Sequence, residues 1–418
     1  MKKLFVVPLL LGGLLQNAGL TATQARKTSH TPARKSVAKR PPPRVDPTDG
    51  DNVDGDDLTI RRAAVAALGQ QSGSVVVVDP STGRVLTMVN QRLGLKTGFT
   101  PCSTIKLVCA LAALSEHVVD RDTSIFIGRR AAFTLTTAIA KSNNQYFNIL
   151  GTRLGFERVT RYAQMLGLSE KAGLDIPGEQ PGILPPEPPK NGGVGMMTSF
   201  GEGITVTPLE LAALLSAIAN GGTMYYLQYP RTQAEIDQFA PKVKRPLELA
   251  PNGIPDIKFG MRAAVEYGTA RRAGYDPSEP ILGKTGTCTD FRMASHMGWF
   301  GSFNDVGHNR LVIVVMLAGS RSFSGGVAAG VAGAIYRNLS EQRYFAADTG
   351  QKPAFPEIIG TSPCCSRWAW GRPSVRVVCQ KQAALQAAGP AESESAGKIA
   401  CPTIHVTRYL SRHSREQK

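Results

Sequence analysis

Thr100-Pro101-Cys102-Ser103-Thr104-Ile105-Lys106 is the stretch around which this 418-residue chain is organised. Thr100 suits a helix N-cap and Pro101 a first helical turn, and residues 105–114 continue as an apolar helix. On such a helix Ser103 and Lys106, three apart, share a face and can touch. A serine hydroxyl is a poor nucleophile until a neighbouring base takes its proton. A lysine set among Leu107, Val108 and Ala110 loses the solvent that stabilises its charge, which moves it towards a base active near neutrality. Serine and lysine three apart are also common on solvated helices, so the reading turns on what the rest of the chain supplies.

Further out lie two more polar groups of residues. Ser142-Asn143-Asn144 falls in what reads as a second helical segment, and Lys284-Thr285-Gly286 in what reads as a strand. A nucleophile with its lysine, then S-x-N, then K-T-G, in that order, is a set in which each member has a separate acyl-transfer role. Gly173-Leu174-Asp175-Ile176-Pro177-Gly178-Glu179 and Gly201-Glu202-Gly203-Ile204-Thr205-Val206-Thr207-Pro208-Leu209 lie between them. Gly268-Thr269-Ala270 and His296-Met297-Gly298-Trp299-Phe300-Gly301 flank the last. On these residues the region 72–339 resembles the transpeptidase domain of class B penicillin-binding proteins, members of the penicillin-recognising acyl-serine enzymes.

Patterning supplies the architecture. Residues 74–79 and 84–89 read as strands joined by Pro80-Ser81-Thr82-Gly83, and strands return at 281–289, 296–303 and 310–318. Residues 103–166 read as helical, 173–191 as a Pro- and Gly-rich ordered loop, and a helix runs from Thr207-Pro208 to Asn220-Gly221-Gly222. Residues 325–339 form a small-residue helix. The expected fold class is α/β (α+β), with one antiparallel five-stranded sheet, flanked by helices, drawn from both ends of the domain. An all-helical subdomain is inserted between them, and the site lies at the seam. The resemblance implies the same β-lactamase/transpeptidase-like fold.

The resemblance also implies roles. Ser103 attacks the carbonyl between two terminal D-alanines of a peptidoglycan stem peptide, with Lys106 as its base. Ser142 relays a proton to the leaving nitrogen, Asn144 orients the substrate amide and Lys106, and Lys284 supplies positive charge. Thr285 and Thr287 bind the substrate carboxylate, and Gly286 lets the substrate backbone lie against the strand. The N–H groups of Ser103 and Thr287 form the oxyanion hole. That hole would bring the neighbouring Cys102 and Cys288 together, as a disulfide or as two buried thiols; some class A carbapenemases are similar in carrying cysteines at both places. Cys109 reads as a small core residue, and His296 as a packing residue.

The flanks differ in character. Residues 1–25, with Met1-Lys2-Lys3 before an apolar run, read as a signal peptide or N-terminal anchor, so the protein is expected to be exported. Residues 26–57 read as a disordered linker, basic and Pro-rich at first, then acidic and Gly-rich. Residues 58–345 are the catalytic domain, and 346–418 a tail of unassigned role holding Cys364, Cys365, Cys379 and Cys401. The formal charge of +16 favours an anionic membrane surface or cell-wall polymer. Without a nucleic-acid motif it does not favour nucleic acid. The six histidines show no ligand spacing, and neither metal nor organic cofactor is implied.

The expected function is therefore a D,D-transpeptidase that is also acylated by β-lactams. A D,D-carboxypeptidase would use water in place of the acceptor amine. A serine β-lactamase would need a deacylating base; Glu179 lies in the corresponding region, but its Asp175-Ile176-Pro177-Gly178 context makes it structural. A β-lactam sensor or cell-wall scaffold would keep the fold without turnover. Class B proteins carry a sizeable domain before the transpeptidase, whereas here residues 26–57 lead almost directly into the first hairpin. A division or elongation role is therefore not carried over.

Overall fold

The computed structural model describes residues 46–346, apart from residues 97, 130, 291–294 and 308. Residues 1–25, read as a signal peptide or anchor, the first part of the linker and the Cys-containing tail lie outside the described residues. The chain opens with α1 (Leu58–Leu68), β1 (Gly73–Val78), β2 (Val85–Val89) and a short α2 (Gln91–Gly94). A helical stretch follows: a 3-10 turn at Cys102–Ile105, α3 (Lys106–Ser115), the ribbon β3 (Ile125–Ile127) with β4 (Ala131–Phe133), then α4 (Leu135–Ala140). It continues through α5 (Asn144–Leu154), α6 (Phe156–Met165), α7 (Gly193–Phe200) and α8 (Pro208–Ala219). A second ribbon, β5 (Thr223–Tyr225) with β6 (Val243–Pro246), brackets α9 (Gln233–Asp237) and precedes α10 (Gly253–Glu266). The domain closes with β7 (Ile281–Asp290), β8 (Ser295–Asn304), β9 (Val312–Ser320) and α11 (Gly325–Glu341).

The five-stranded sheet has the order β2-β1-β9-β8-β7, with every neighbouring pair antiparallel. Strands from both ends of the domain meet at β1 and β9, where Val75 pairs with Val315. Both are apolar over residues 75–78 and 312–318 because both faces of the sheet are covered there. Val76, Val78, Val314 and Met316 face a core built with α3, α4, α5 and α8. Val75, Val77, Val315 and Leu317 face a second core with Ile60 and Leu68 of α1 and Ile335 and Leu339 of α11. Alternate side chains point to opposite faces, so an unbroken valine run serves two cores at once.

Two helices explain how the insert is held. α3 is buried from Lys106 to Leu114, the mark of a central helix, since one apolar face alone would suit a surface position. α8 is buried along its whole length and starts with a capping box. The Thr207 hydroxyl accepts from Glu210 N–H, and the Glu210 carboxylate accepts from Thr207 N–H. The Thr207-Pro208 reading of that helix start thus has its physical basis in the cap.

The linker expectation needs correction from residue 46 onward. Asp57 caps α1 by accepting from Thr59 and Ile60 N–H. Asp56 accepts from Arg61, from the Thr87 hydroxyl at 2.7 Å and from the Tyr229 hydroxyl at 2.6 Å. Asp51 accepts from Arg61 and from the N–H groups of Asn90 and Gln91. This acidic, Gly-containing segment has few apolar residues and folds nonetheless, because its carboxylates meet buried donors that lie far away in sequence.

Candidate active site

The nucleophile's turn departs from the expected helix start. Residues Cys102–Ile105 form a 3-10 turn and the α-helix begins only at Lys106. Thr100 caps nothing; its carbonyl instead accepts from Trp299 Nε1 at 3.0 Å. The reason lies in Cys102, whose φ of +52° is left-handed and cannot belong to a helix. A non-glycine residue there costs on the order of 1–3 kcal/mol, and neighbouring contacts must hold it. Thr104 bonds the Pro101 carbonyl through N–H and hydroxyl, and a disulfide joins Cys102 to Cys288, with 5.5 Å between Cα atoms.

That disulfide pins the turn to β7. The approach is close enough that a Cβ at Gly286 would stand 2.9 Å from the Pro101 carbonyl oxygen, so only glycine fits at this point of the strand. Cys288 pairs with Met297 and Gly286 with Trp299, so disulfide, glycine and the tryptophan that holds Thr100 occupy one short stretch. Cys109 is free and buried, and burial pushes its thiol up to about 12. It packs as a small core residue.

The second motif is only partly helical, with Asn144 opening α5. Ser142 has φ +53° and sits in the turn between α4 and α5, while Asn143 caps α5 by accepting from Tyr146 N–H at 2.8 Å. The turn delivers Ser142 and Asn144 to the end of Lys106. Lys106 Nζ lies 2.9 Å from Ser103 Oγ, 3.1 Å from Ser142 Oγ and 2.9 Å from the Ser142 carbonyl oxygen. It also donates to Asn144 Oδ1 at 2.5 Å. From the strand side, Lys284 Nζ donates to Ser142 Oγ at 2.8 Å and to the Thr285 carbonyl at 2.9 Å. Ser103, Lys106, Ser142, Asn144 and Lys284, drawn from three stretches of the chain, thus form one connected cluster.

Both lysines are almost fully buried. Burial pushes Lys106 down to about 7. Burial first, and then the nearby charge of Lys106, pushes Lys284 well below the ordinary lysine range. Two cations on one serine hydroxyl would repel, so the arrangement favours one neutral amine of the two.

The hydroxyls of Thr285 and Thr287 each have a partner within the fold. The Thr285 hydroxyl is paired with that of Thr269 at 2.6 Å, and Thr285 is 4 % exposed. The Thr287 hydroxyl accepts from Gly325 N–H at 2.8 Å, at the start of α11. The Thr287 hydroxyl ties β7 to α11 and the Thr285 hydroxyl ties it to the segment after α10, and the exposed Thr287 remains at the rim. Glu179 is buried, with its carboxylate accepting from Ala172 and Gly173 N–H; none of the cluster's groups is among those partners. Among the described residues no group of three or more His, Cys, Asp or Glu is placed to hold a metal.

Next to Asn144 opens a cavity of about 500 Å³, lined also by Phe126, Ile127, Gln145, Asn148, Ile149 and Phe200. Reading the sequence by motif misses it. The available signal is that Asn144 and Asn148, four apart at the start of α5, share one helix face.

Three comparisons with known proteins agree. The family model described as the penicillin binding protein transpeptidase domain matches residues 73–337. Stage V sporulation protein D of Bacillus subtilis is 28% identical over 328 residues, covering 68% of this chain and 49% of that protein. The peptidoglycan D,D-transpeptidase FtsI of Escherichia coli K12 is 26% identical over 255 residues, covering 51% of this chain and 43% of that protein. This chain thus spans about half the length of such relatives or less. In fold it is similar to Pseudomonas aeruginosa PBP2, solved in complex with WCK 5153, with a TM-score of 0.60 and 24% identity over 71% of this chain and 77% of that one. The transpeptidase domain of Burkholderia pseudomallei penicillin-binding protein 3 gives a TM-score of 0.60 at 22% identity, covering 71% of this chain and 97% of that one.

Proposed function

Because this chain belongs to the penicillin-binding protein transpeptidase domain family, we propose that it is a D,D-transpeptidase that cross-links peptidoglycan stem peptides through an acyl-serine intermediate. The observation that carries the reading is the approach of a buried, weakly basic Lys106 to Ser103 Oγ at 2.9 Å. The neutral amine takes the Ser103 proton as Oγ bonds to the carbonyl carbon of the penultimate D-alanine. The oxyanion is received by the N–H groups of Ser103 and Thr287. When the peptide C–N bond breaks, Ser142, within reach of both lysines, passes a proton to the departing D-alanine nitrogen. An acceptor amine then attacks the ester and gives up its proton along the same relay, and Ser103 is released with its hydrogen restored.

β7 is the edge strand of the sheet, and its free edge suits an extended peptide laid alongside it. The one charge that the Lys106–Lys284 pair carries then favours the substrate carboxylate. Thr285 and Thr287 hydrogen-bond that carboxylate; the exposed Thr287 hydroxyl accepts from Gly325 N–H and keeps its own proton to donate. The protein works outside the cytoplasmic membrane, held near its anionic surface by the basic residues before the domain.

Intact-mass analysis with a penicillin over time, beside Ser103→Ala, tests this. A lasting adduct on the wild type, absent from the variant, is expected. A short-lived adduct with continuous penicillin hydrolysis would overturn it in favour of a β-lactamase, and no adduct on a folded wild type would leave a scaffold.

A further inference from the structure

We infer that Arg272 is a specificity-determining residue of this site: its guanidinium, carried along α11 to the rim of β7, binds the free carboxylate at the end of the donor. The inference rests on the acyl-transfer reading above and deepens it, because that reading supplies the carboxylate with one buried and shared charge. Lys106 and Lys284 are almost fully buried. Lys284 Nζ already donates to Ser142 Oγ and to the Thr285 carbonyl. The hydroxyls of Thr285 and Thr287 orient a carboxylate without neutralising it. A permanent cation at the rim would complete the recognition, and a guanidinium is one at every working pH.

Arg272 lies in a short 3-10 turn, Arg271–Ala273, laid across α11. The turn is fixed from beneath. A Cβ at Gly333 would collide with the Ala273 carbonyl oxygen, and that oxygen accepts from Arg337 Nη1 at 3.0 Å. From there the Arg272 stem runs towards the start of the helix. Its Cβ lies 3.8 Å from the Cβ position of Gly330 and its Cδ 3.7 Å from that of Gly326. These two glycines are about one helical turn apart, so the two contacts set the direction of the side chain. The guanidinium nitrogens extend up to three bonds past Cδ, roughly 3.5 Å, to the level of Ser324 and Gly325. There Gly325 N–H bonds the Thr287 hydroxyl at 2.8 Å. The segment that carries the arginine also holds the other threonine, since the Thr269 hydroxyl pairs with that of Thr285 at 2.6 Å.

The arginine is exposed, and no ion pair among the described residues engages it. Its head approaches the amino-terminal end of a 17-residue helix, where the helix dipole is positive and repels a cation. Such a placement becomes favourable when an anion sits between the two, since that anion gains from both. The donor carboxylate, held at Thr285 and Thr287, is the anion the reaction brings to this place.

The test uses the full chain and compares a penicillin bearing its free carboxylate with the methyl ester of the same penicillin. Acylation is followed by intact mass at subsaturating concentrations. Wild type is expected to prefer the acid. In Arg272→Gln and in Arg272→Met that preference falls about tenfold, the loss expected for one charge-assisted hydrogen bond at a rim, while the ester reacts at the wild-type rate. Methionine keeps an unbranched stem over Gly326 and Gly330, so its variant keeps the test valid if Arg272→Gln misfolds. Arg272→Lys is expected to keep part of the preference, and Arg271→Gln, which removes the neighbouring charge, all of it. An unchanged preference in the Arg272 variants, an equal loss for acid and ester, or the same effect from Arg271→Gln would each overturn the assignment while leaving acyl transfer intact. Failure of wild type to form an adduct with either compound would instead overturn the acyl-transfer reading, and the role of Arg272 with it.

Discussion

At Lys106 the chemistry is set by what surrounds a single amine. It is buried, stands 5.6 Å from the Phe147 ring centroid, and meets two serines and an asparagine. A base must be deprotonated to act, and burial brings Lys106 to about 7. The sign follows: as pH falls below 7 the amine gains its proton, and the acylation rate constant drops about tenfold per unit. Above pH 8 the rate levels off. Stopped-flow acylation by a fluorescent penicillin between pH 5.5 and 9 checks this. A profile flat through pH 7 would remove Lys106 as the base. Lys106→Arg keeps the cation but cannot give up its proton, and is expected to reduce acylation by at least about a hundredfold, within the range assigned to a lost general base.

Among the elements, the strap at residues 46–57 and α1 carries a prediction about stability. Arg61 is held between Asp51 and Asp56, whose side chains are 2% and 0% exposed. Arg61→Met leaves buried Asp51 without a cation and buried Asp56 with only Arg231, 3.8 Å away. Breaking such a pair from one side costs about 3–5 kcal/mol. The urea midpoint is expected to fall at an unchanged slope, and an unaltered midpoint would show the strap to be dispensable. This strap was not legible in the sequence, because Asp- and Gly-rich composition reads as disorder when the donors, Thr87 and Tyr229, are remote. The strands were legible because a run such as residues 75–78 is apolar on both faces, and the S-x-x-K, S-x-N and K-T-G sets because their order is informative. The two turns that aim them were not, since Cys102 and Ser142 both adopt positive φ, which neither residue type announces.

Over the whole molecule the charge is unevenly spread. Residues 46–346 hold 29 Lys and Arg against 27 Asp and Glu, whereas residues 1–45 hold nine basic residues and no acidic one. The folded domain is nearly neutral and the preceding segment strongly cationic. Removing residues 26–44 is expected to abolish salt-sensitive binding of the chain to anionic vesicles, measured by co-sedimentation at about 50 and 500 mM salt. Binding that survives both the deletion and the salt would assign attachment to apolar contact. Among the described residues no helix is long and apolar enough to cross a membrane.

The disulfide has a consequence of another kind. Cys102 and Cys288 are 186 positions apart, and nearly all the helical insert lies between them. A mechanical load applied at the two ends of the domain passes from one sulfur to the other and bypasses that insert. Stretched to its limit, the oxidised chain falls short of the reduced one by roughly 600–670 Å. Of the nucleophile's turn only Cys102 lies on that path, and Ser103 is the first residue of the bypassed loop, so tension on the ends of the domain skirts the residue that is acylated.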